Sequence, residues 1–255
     1  MTEPSATALE GRAAVVTGGG RGLGRSLALA LADAGAAVAV AGRDAASLDT
    51  TVKEISDRGR WALAVPTDVT DGQAVERLID TAVRELGRLD VLVNNAGVLH
   101  GADLIDTTDE QWDTVVDTNL RGTFLATRAA GRHLTRQGSG KVINVSSNFA
   151  FIGVPRFASY CASKGAIVAF TKAMAVEWAP FGVQVNALAP GYFGTDMNAG
   201  ARDDPALGER IVRQIPARRL GEPDELRGWV VLLASPASDF MTGATIVIDG
   251  GQLAR

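Results

Sequence analysis

The stretch Thr17-Gly18-Gly19-Gly20-Arg21-Gly22-Leu23-Gly24 decides the fold of this chain. It follows a short apolar run, residues 13–17, and opens an alanine- and leucine-rich run, residues 23–34, that contains no helix breaker. A strand, a glycine turn and a helix in this order are typical of the first unit of an open α/β sheet. Glycines there let the backbone approach a pyrophosphate, and the helix N-terminus supplies N–H groups. The stretch therefore predicts a dinucleotide site, with a plain tight turn as the alternative.

The same alternation of apolar runs and helical stretches continues along the chain. The predicted strands are 13–17, 37–41, 61–65, 89–93, 141–145, 183–188 and 244–248, and the predicted helices are 23–34, 45–58, 71–86, 109–137, 158–179 and 223–233. The strands are apolar throughout, which indicates burial on both faces. Regular alternation of strands and helices indicates right-handed βαβ units. The sequence predicts an α/β fold, a single Rossmann-type doubly wound parallel sheet of about seven strands with helices on both faces.

No linker or internal repeat divides the chain. Residues 1–9 are expected to form a flexible tail, and residues 10–255 a single dinucleotide-binding catalytic domain. Within that domain, residues 192–222 contain four glycines, two prolines and many charges. This composition predicts a mobile substrate flap.

The charge and composition of the chain exclude some classes of binding partner and indicate a cellular location. The net charge is −4 without a basic stripe, so nucleic acid is not expected as a partner. The single cysteine fits a reducing compartment. The start, Met1–Pro4, lacks the features of a signal peptide, and no apolar run approaches the ~18 residues that span a bilayer. We therefore expect a cytoplasmic protein without a membrane partner. No His/Cys cluster has metal-ligand spacing, so no metal is expected.

Further motifs follow the glycine turn in a fixed order. They are Asn94-Asn95-Ala96-Gly97 after the fourth strand, Asn119 in the next helix, Ser147 after the fifth strand, Tyr160 and Lys164 as Y-x-x-x-K, and Pro190-Gly191 with Thr195 after the sixth strand. Together with the T-G-x-x-x-G-x-G spacing, this order resembles the short-chain dehydrogenase/reductase family from about residue 10 to about residue 251. The resemblance implies an oxidoreductase that transfers a hydride between a nicotinamide cofactor and a ketone or secondary alcohol.

Four residues are the predicted catalytic set. Tyr160 and Lys164 lie four apart on one helix and share a face, and a nearby cation lowers the pKa of a phenol from its usual value of about 10. The resemblance implies that Ser147 hydrogen-bonds the substrate oxygen, with Ser146 as the rival. It also implies that Asn119 supports a water near the lysine.

The second strand ends without the carboxylate that holds an NAD ribose, because Gly42 occupies that position. Arg43 and Arg21 are a plausible clamp for a 2′-phosphate. These residues favour NADP(H), although Asp44 could turn toward the ribose and NAD(H) stays possible. The resemblance extends the predicted cofactor contacts to Gly18, Gly22, Leu23, Gly24, Asp68, Val69, Asn95, Ala96, Gly97, Tyr160, Lys164, Pro190, Gly191 and Thr195.

The substrate is less defined. The resemblance places six residues beside the site: Leu99, Asn148, Phe149, Phe151, Tyr192 and Phe193. Their apolar character favours a small-molecule ketone or alcohol with a hydrophobic side. Two branches of the family are alternatives, the gluconate 5-dehydrogenases and the 3-oxoacyl-carrier-protein reductases. The basic residues common in each branch are absent here, at residues 98–101 and at Phe181 respectively.

A hypothesis of another class is a non-catalytic dinucleotide-binding sensor. The complete catalytic set argues against it, because a sensor would need only the glycine turn. The helical stretches 109–137 and 158–179 resemble the pair that joins subunits in the family. A homotetramer, or otherwise a homodimer, is therefore expected.

Overall fold

The computed structural model describes residues 7–195, 197 and 204–254. Its strands are β1 (Ala13–Thr17), β2 (Ala37–Gly42), β3 (Ala62–Pro66), β4 (Val91–Asn94), β5 (Gly140–Val145), β6 (Val183–Pro190) and β7 (Thr245–Ile248). Its helices are α1 (Gly22–Asp33), α2 (Ala45–Asp57), α3 (Gly72–Leu86), α4 (Asp109–Val116), α5 (Gly122–Gln137), α6 (Ala158–Trp178), α7 (Pro205–Arg213) and α8 (Arg227–Ala234).

The strands form one parallel sheet in the order β3-β2-β1-β4-β5-β6-β7. Val15 at the centre of β1 pairs with Ala39 of β2 on one side and with Leu92 of β4 on the other. The chain leaves β1 toward β2 and β3, then returns to the opposite side of β1 as β4. This reversal opens a crevice at the carboxyl ends of β1 and β4, the position where open α/β sheets bind ligands.

Helices cover both faces of the sheet, as predicted. Every residue of β1 is buried, and alternate side chains point to opposite faces. Val16 packs in a cluster with Leu27 and Leu31 of α1, whereas Val15 packs in a second cluster with Leu78 of α3. Each fully buried leucine contributes roughly 1.5–3 kcal/mol. The two cores hold the strand ends, and hence the loops after them, in a fixed arrangement.

The helix predicted over 109–137 is interrupted. Helix α4 ends at Val116, residues Asp117–Arg121 form a π-helical turn, and α5 begins at Gly122. The wide turn contains Asn119, whose side chain is bonded to Val98 and to Ser163 outside its own helix. These hydrogen bonds to distant residues accompany the change from α-helical to π-helical pitch. The hydrophobic periodicity of the sequence gives no sign of them. Such turns occur often at functional sites.

The segment predicted as a mobile flap contains a helix. Asp204 caps α7 by accepting hydrogen bonds from the N–H groups of Ala206 at 3.0 Å and Leu207 at 3.2 Å, and Pro205 occupies the first helical position. Asp followed by Pro is a helix-start signal that could have predicted α7. Phe193 forms a β-bridge with Gly221. Residues 196 and 198–203 of the predicted flap lie outside the described residues.

The predicted tail, residues 1–9, is only partly described. Residues 1–6 lie outside the described part of the chain. Leu9 is buried, and its N–H donates a hydrogen bond to the carbonyl of Ala34 at 2.8 Å, so this residue belongs to the packed structure. Within the described residues, we find no helix with both the length and the apolar character that crossing a membrane requires.

Candidate active site

The glycine turn after β1 leaves no room for side chains at its centre. Gly18 has a φ of +65°, a conformation that favours glycine. A Cβ at Gly24 would lie 2.1 Å from the carbonyl oxygen of Gly18 and 2.4 Å from Nδ2 of Asn95. The first turn of α1 is thus pressed against the turn that precedes it, which forms a shallow cradle of backbone.

Asn95 after β4 fixes this cradle. Its Nδ2 donates hydrogen bonds to the carbonyl oxygens of Thr17 at 3.0 Å and Gly18 at 3.2 Å. In return, Oγ1 of Thr17 accepts from the N–H groups of Asn95 and Ala96, both at 3.1 Å. The ends of β1 and β4 are therefore tied together at the crevice.

The N-terminus of α1 can receive an anion. Arg21 stands at the capping position but makes no side-chain capping bond, and the first turn contains no acidic residue. The first backbone N–H groups of α1 therefore have no side-chain cap, and a phosphate could accept their hydrogen bonds. The cradle and this helix end together fit a pyrophosphate.

The end of β2 has open space beside Gly42 and two arginines nearby. A Cβ at Gly42 would meet only Leu48, at 3.6 Å. Arg21 and Arg43 are exposed there, and neither forms an ion pair with any carboxylate of the described chain. The carboxylate of Asp44 accepts a hydrogen bond from the N–H of Ala46 at 3.2 Å and caps α2. Asp44 is therefore already engaged, which leaves the two arginines facing the cavity.

Asp68 lies beside Arg43 after β3. Hydrogen bonds from the backbone N–H of Thr70, at 2.9 Å, and from its hydroxyl, at 2.8 Å, lower the pKa of the Asp68 carboxyl, and the charge of Arg43 adds to this effect. Val69 next to it is buried against Gly122 at the start of α5. The pair lines the crevice beyond the end of β3.

Tyr160 and Lys164 lie on one face of α6 and are both buried. The ammonium of Lys164 is 5.6 Å from the centre of the Tyr160 ring and donates a hydrogen bond to the carbonyl of Val145 at 2.8 Å. Burial lowers the pKa of Lys164 to about 8. Burial also raises the pKa of Tyr160 to about 12, although its hydrogen bond with Ser147 acts in the opposite direction.

The pKa of Tyr160 shifts in the direction opposite to the one expected from the sequence. We expected Lys164 to lower the pKa of the phenol, but in this structure the loss of hydration on burial dominates. Lys164 directs a hydrogen bond to a backbone carbonyl instead of the phenol oxygen. Tyr160 is therefore a neutral phenol near neutral pH, which is the form that can donate a proton.

Ser147 lies where β5 ends, next to Tyr160. Its Oγ accepts a hydrogen bond from the N–H of Phe149 at 3.2 Å and donates to the carbonyl of Pro190 at 3.4 Å. The rival, Ser146, donates its hydroxyl to the carbonyl of Lys164 at 2.8 Å. Of the two, Ser147 is the serine that acts to lower the pKa of the Tyr160 phenol. The geometry therefore favours Ser147 over Ser146.

Asn119 is fully buried behind the cavity. Its Oδ1 accepts from the N–H of Val98 at 2.8 Å, and its Nδ2 donates to the carbonyl of Val98 at 3.0 Å and to Ser163 at 3.1 Å. A Cβ at Gly97 would lie 3.2 Å from Oδ1 of Asn119 and 3.5 Å from Nζ of Lys164. Asn119 thus holds the turn after β4 against the lysine. An amide oxygen can accept two hydrogen bonds, and among the described residues that of Asn119 accepts one, from Val98, so the water predicted near the lysine stays a prediction.

A pH-dependent stability follows from the buried lysine. In the unfolded chain Lys164 regains its ordinary pKa of 10.5, so between about pH 8 and 10.5 the unfolded chain binds more protons than the folded chain. The contribution of Lys164 to the free energy of unfolding therefore rises with pH between about pH 8 and 10.5. We expect the free energy of unfolding of the wild type, relative to Lys164→Met, to rise by roughly 2–3 kcal/mol from pH 7 to pH 10.

Urea denaturation of both proteins at each pH measures this difference. The contribution of Tyr160, which acts above pH 10, is present in both proteins and largely cancels. A difference that stays flat from pH 7 to 10 would contradict a lowered pKa of Lys164.

One cavity of about 1810 Å³ connects these groups. All predicted cofactor residues line it, namely Gly18, Arg21, Gly22, Leu23, Gly24, Arg43, Asp68, Val69, Asn95, Ala96, Gly97, Tyr160, Lys164, Pro190, Gly191 and Thr195. Of the predicted substrate residues, Leu99, Asn148, Phe149, Tyr192 and Phe193 also line it. Phe151 does not, because it follows the short helical turn at Asn148–Ala150 and is 47% exposed.

Aromatic rings build the wall near Tyr160. The ring of Phe149 lies 5.8 Å from that of Tyr160, 5.9 Å from that of Phe157 and 5.6 Å from that of Tyr192. The contacts with Tyr160 and Tyr192 are edge-to-face, and packing of this kind fixes ring positions. It holds the phenol in place and leaves only part of Phe149 open to the cavity.

Sequence reasoning missed several polar residues that line the same cavity. Arg210 and Gln214 come from α7 and its end, and Gln252 comes from the turn after β7. The spacing of Leu207 and Ile211 on α7 places Arg210 on a helix that packs against the site, a signal that was available. No sequence pattern marked Gln252. Among the described residues, no group of three His, Cys, Asp or Glu could hold a metal ion.

Comparison with known proteins agrees with this geometry. The sequence model of a family described as enoyl-(acyl carrier protein) reductase matches residues 18–252. The chain is 41% identical to 2-dehydro-3-deoxy-D-gluconate 5-dehydrogenase of Escherichia coli, covering 98% of this chain and 99% of that protein. It is 40% identical to 3-oxoacyl-[acyl-carrier-protein] reductase of Synechocystis, covering 97% and 99%.

Solved structures show the same fold. A gluconate 5-dehydrogenase from Burkholderia cenocepacia, determined in complex with NADP and tartrate, superposes with a TM-score of 0.94 at 39% identity and covers 98% of each chain. Identity at this level over nearly the whole length is far above what a shared fold alone would need. The chain therefore belongs to the short-chain dehydrogenase/reductase family of NAD(P)-dependent oxidoreductases that act on CH–OH and C=O groups.

Proposed function

We propose that this chain interconverts a ketone and a secondary alcohol with NADP(H), and that Tyr160 transfers the proton. The observation that carries the proposal is that Tyr160, Ser147 and Lys164 line the same cavity as the glycine cradle. A carbonyl oxygen that meets both hydroxyl groups would be polarised by two donors. A sensor would gain nothing from this pair.

Each residue of the catalytic set has a separate role in the reduction. When bound, NADPH supplies the hydride to the carbonyl carbon. Tyr160, a neutral phenol near neutral pH, donates its proton to the carbonyl oxygen, and Ser147 donates a hydrogen bond to the same oxygen. Lys164, still largely protonated near neutral pH, then stabilises the phenolate that remains. Asn119 keeps the turn at Gly97 in contact with the lysine.

The cofactor proposal rests on the end of β2. The guanidinium groups of Arg21 and Arg43, which form no ion pair with the carboxylates of the described residues, fit a 2′-phosphate, and Gly42 presents no carboxylate that would repel it. The B. cenocepacia relative is a precedent, since it was solved with NADP. NAD(H) stays the weaker alternative, because Asp44 would have to give up its capping bond to reach a ribose.

Gly24→Ala is expected to weaken binding of the dinucleotide strongly. Its Cβ would collide with the backbone of Gly18, so the cradle must open or α1 must shift. The matched control is Gly42→Ala, where the nearest atom would be at 3.6 Å. We expect Gly24→Ala to weaken NADPH binding at least about a hundredfold in a fluorescence titration, while Gly42→Ala binds within about threefold of the wild type. Equal affinities of the two variants would contradict the proposed cradle.

Two substrate classes have support. The aromatic wall with Leu99 favours a ketone with a hydrophobic side. Arg210 and Arg156 also line the cavity and could pair with a carboxylate, and two of the relatives described above are named for gluconate or its derivatives. A keto sugar acid is therefore the second candidate. The 3-oxoacyl alternative draws on the Synechocystis relative, but Phe181 stands where basic residues are common in that branch.

The test is a substrate panel with purified protein. Aryl and alicyclic ketones, keto sugar acids and a β-ketoester are each supplied with NADPH or NADH, and cofactor oxidation is followed by absorbance. Turnover with NADPH supports the proposal, and the preferred ketone decides between the classes. An Arg210→Ala variant separates them further, because only an acidic substrate should lose affinity. Binding of NADPH without turnover across a broad panel would favour the sensor.

We further propose a cytoplasmic homotetramer, with a homodimer as the alternative. Helix α5 exposes Phe124, and α6 exposes 79% of Val176. Apolar groups exposed on the two helical stretches that resemble the family's subunit contacts favour association through them. The single cysteine, Cys161, fits a reducing compartment. Light scattering coupled to gel filtration measures the mass of the assembly directly.

A further inference from the structure

The turn after β7 returns the chain to the active site. Asp249 holds this turn, since its carboxylate accepts hydrogen bonds from the N–H groups of Gly251 at 2.9 Å and Leu253 at 2.8 Å. Gln252 projects from it, is 6% exposed and lines the cavity. It stands 92 residues from Tyr160 in sequence, so no local pattern links the two.

Gln252 ends a chain of hydrogen bonds that begins at the hydroxyl of Ser147. Its Oε1 accepts from Nδ2 of Asn148 at 2.8 Å. Oδ1 of Asn148 in turn accepts from the hydroxyl of Ser147 at 3.4 Å, and Ser147 lines the cavity together with Tyr160. Asn148 is 1% exposed, so its amide has little access to water that could replace a lost partner.

The oxygen of the Gln252 amide faces the NH₂ group of Asn148. A carbonyl oxygen of Gln252 can only accept, so it selects the NH₂ group of Asn148 and leaves the oxygen of that amide toward Ser147. The amide oxygen of Asn148 and the carbonyl oxygen of Pro190, both at 3.4 Å, are alternative acceptors of the one serine proton, and at this distance neither binds it tightly. The hydroxyl of Ser147 can then turn its proton to a substrate oxygen.

We propose that Gln252 is a positioning residue for Ser147, acting through Asn148. The inference rests on the proposed function, since it assigns a role within the same proton-transfer site. It predicts that Gln252 affects the rate of the chemical step and leaves the binding of the substrate and of NADPH unchanged.

The test compares two replacements of similar length. Gln252→Met removes the acceptor, and Gln252→Glu retains an acceptor oxygen for Asn148. With the best ketone of the panel, we expect Gln252→Met to lower kcat about tenfold while KM and the Kd for NADPH stay within about twofold. Gln252→Glu should retain most of kcat. Leu253→Ala, in the same turn, is the control and should match the wild type.

A double-mutant cycle tests whether Gln252 acts on Ser147 through Asn148. If Gln252 acts through Asn148, Gln252→Met should cause no further loss in an Asn148→Ala background. Thermal unfolding of each variant checks that the fold is kept. A full additional loss in that background overturns the inference, and so does an unchanged kcat of Gln252→Met. A rise of KM at constant kcat would make Gln252 a substrate contact and also overturns it. Absence of turnover by the wild type would instead refute the proposed function.

Discussion

Tyr160→Phe is expected to lower kcat by about 10²–10⁴-fold while NADPH binding stays intact. The replacement removes only the hydroxyl that would donate the proton and keeps the ring that packs against Phe149. Ser147 would still donate a hydrogen bond to the carbonyl oxygen, so some turnover should remain. Steady-state kinetics with the best ketone of the panel measures the loss, and a fluorescence titration with NADPH checks the binding.

The chain supplies a matched control for this prediction. Tyr192 is the only other tyrosine, and it also lines the cavity and packs against Phe149. Tyr192→Phe removes the same atom from the same wall, so it should change KM at most and keep kcat within about threefold. If both variants lost kcat equally, or if Tyr160→Phe kept full activity, the assignment of the proton donor to Tyr160 would be wrong.

Gly42→Asp is expected to reverse the cofactor preference. The new carboxylate would enter open space, since a Cβ there meets only Leu48 at 3.6 Å. It would repel a 2′-phosphate and could accept hydrogen bonds from a ribose 2′-hydroxyl. Placing like charges together costs several kcal/mol, so we expect kcat/KM with NADPH to fall about a hundredfold or more while that with NADH rises.

The control for this change is Gly228→Asp on α8, which also enters open space but does not line the cavity. It adds the same charge and should leave both values of kcat/KM unchanged. Arg43→Ala should weaken NADPH and spare NADH, because only the phosphate loses a partner. A wild type that uses NADH better than NADPH would contradict the cofactor proposal and leave the roles of Tyr160 and Ser147 untouched.

The parts of the site that could be predicted from the sequence have local causes. The turn from Gly18 to Gly24 must be glycine-rich because its backbone segments are in contact, and this requirement is visible in one short stretch. Tyr160 and Lys164 share a helix face by simple periodicity. The parallel strands are apolar along their whole length because both faces are covered. Each of these features depends on residues close together in the chain.

The parts that escaped prediction depend on distant contacts. The π-helical turn at Asn119 accompanies bonds to Val98 and Ser163, which no periodicity can show. The raised pKa of Tyr160 reflects how deeply α6 is buried, a property of the whole fold. Gln252 reaches Asn148 only because β6 and β7 are neighbours in the sheet. Helix α7 is different, since its capping signal at Asp204 was present in the sequence.

The most direct test of the account follows the hydride itself. The wild type and Tyr160→Phe would be incubated with the preferred ketone and NADPH that carries deuterium at both hydrogens of nicotinamide C4, and the alcohol would be analysed by mass spectrometry. The account predicts one deuterium on the carbinol carbon of the wild-type product and a strongly reduced yield with Tyr160→Phe. An alcohol without deuterium at that carbon, or cofactor binding with no alcohol formed from any ketone of the panel, would contradict it.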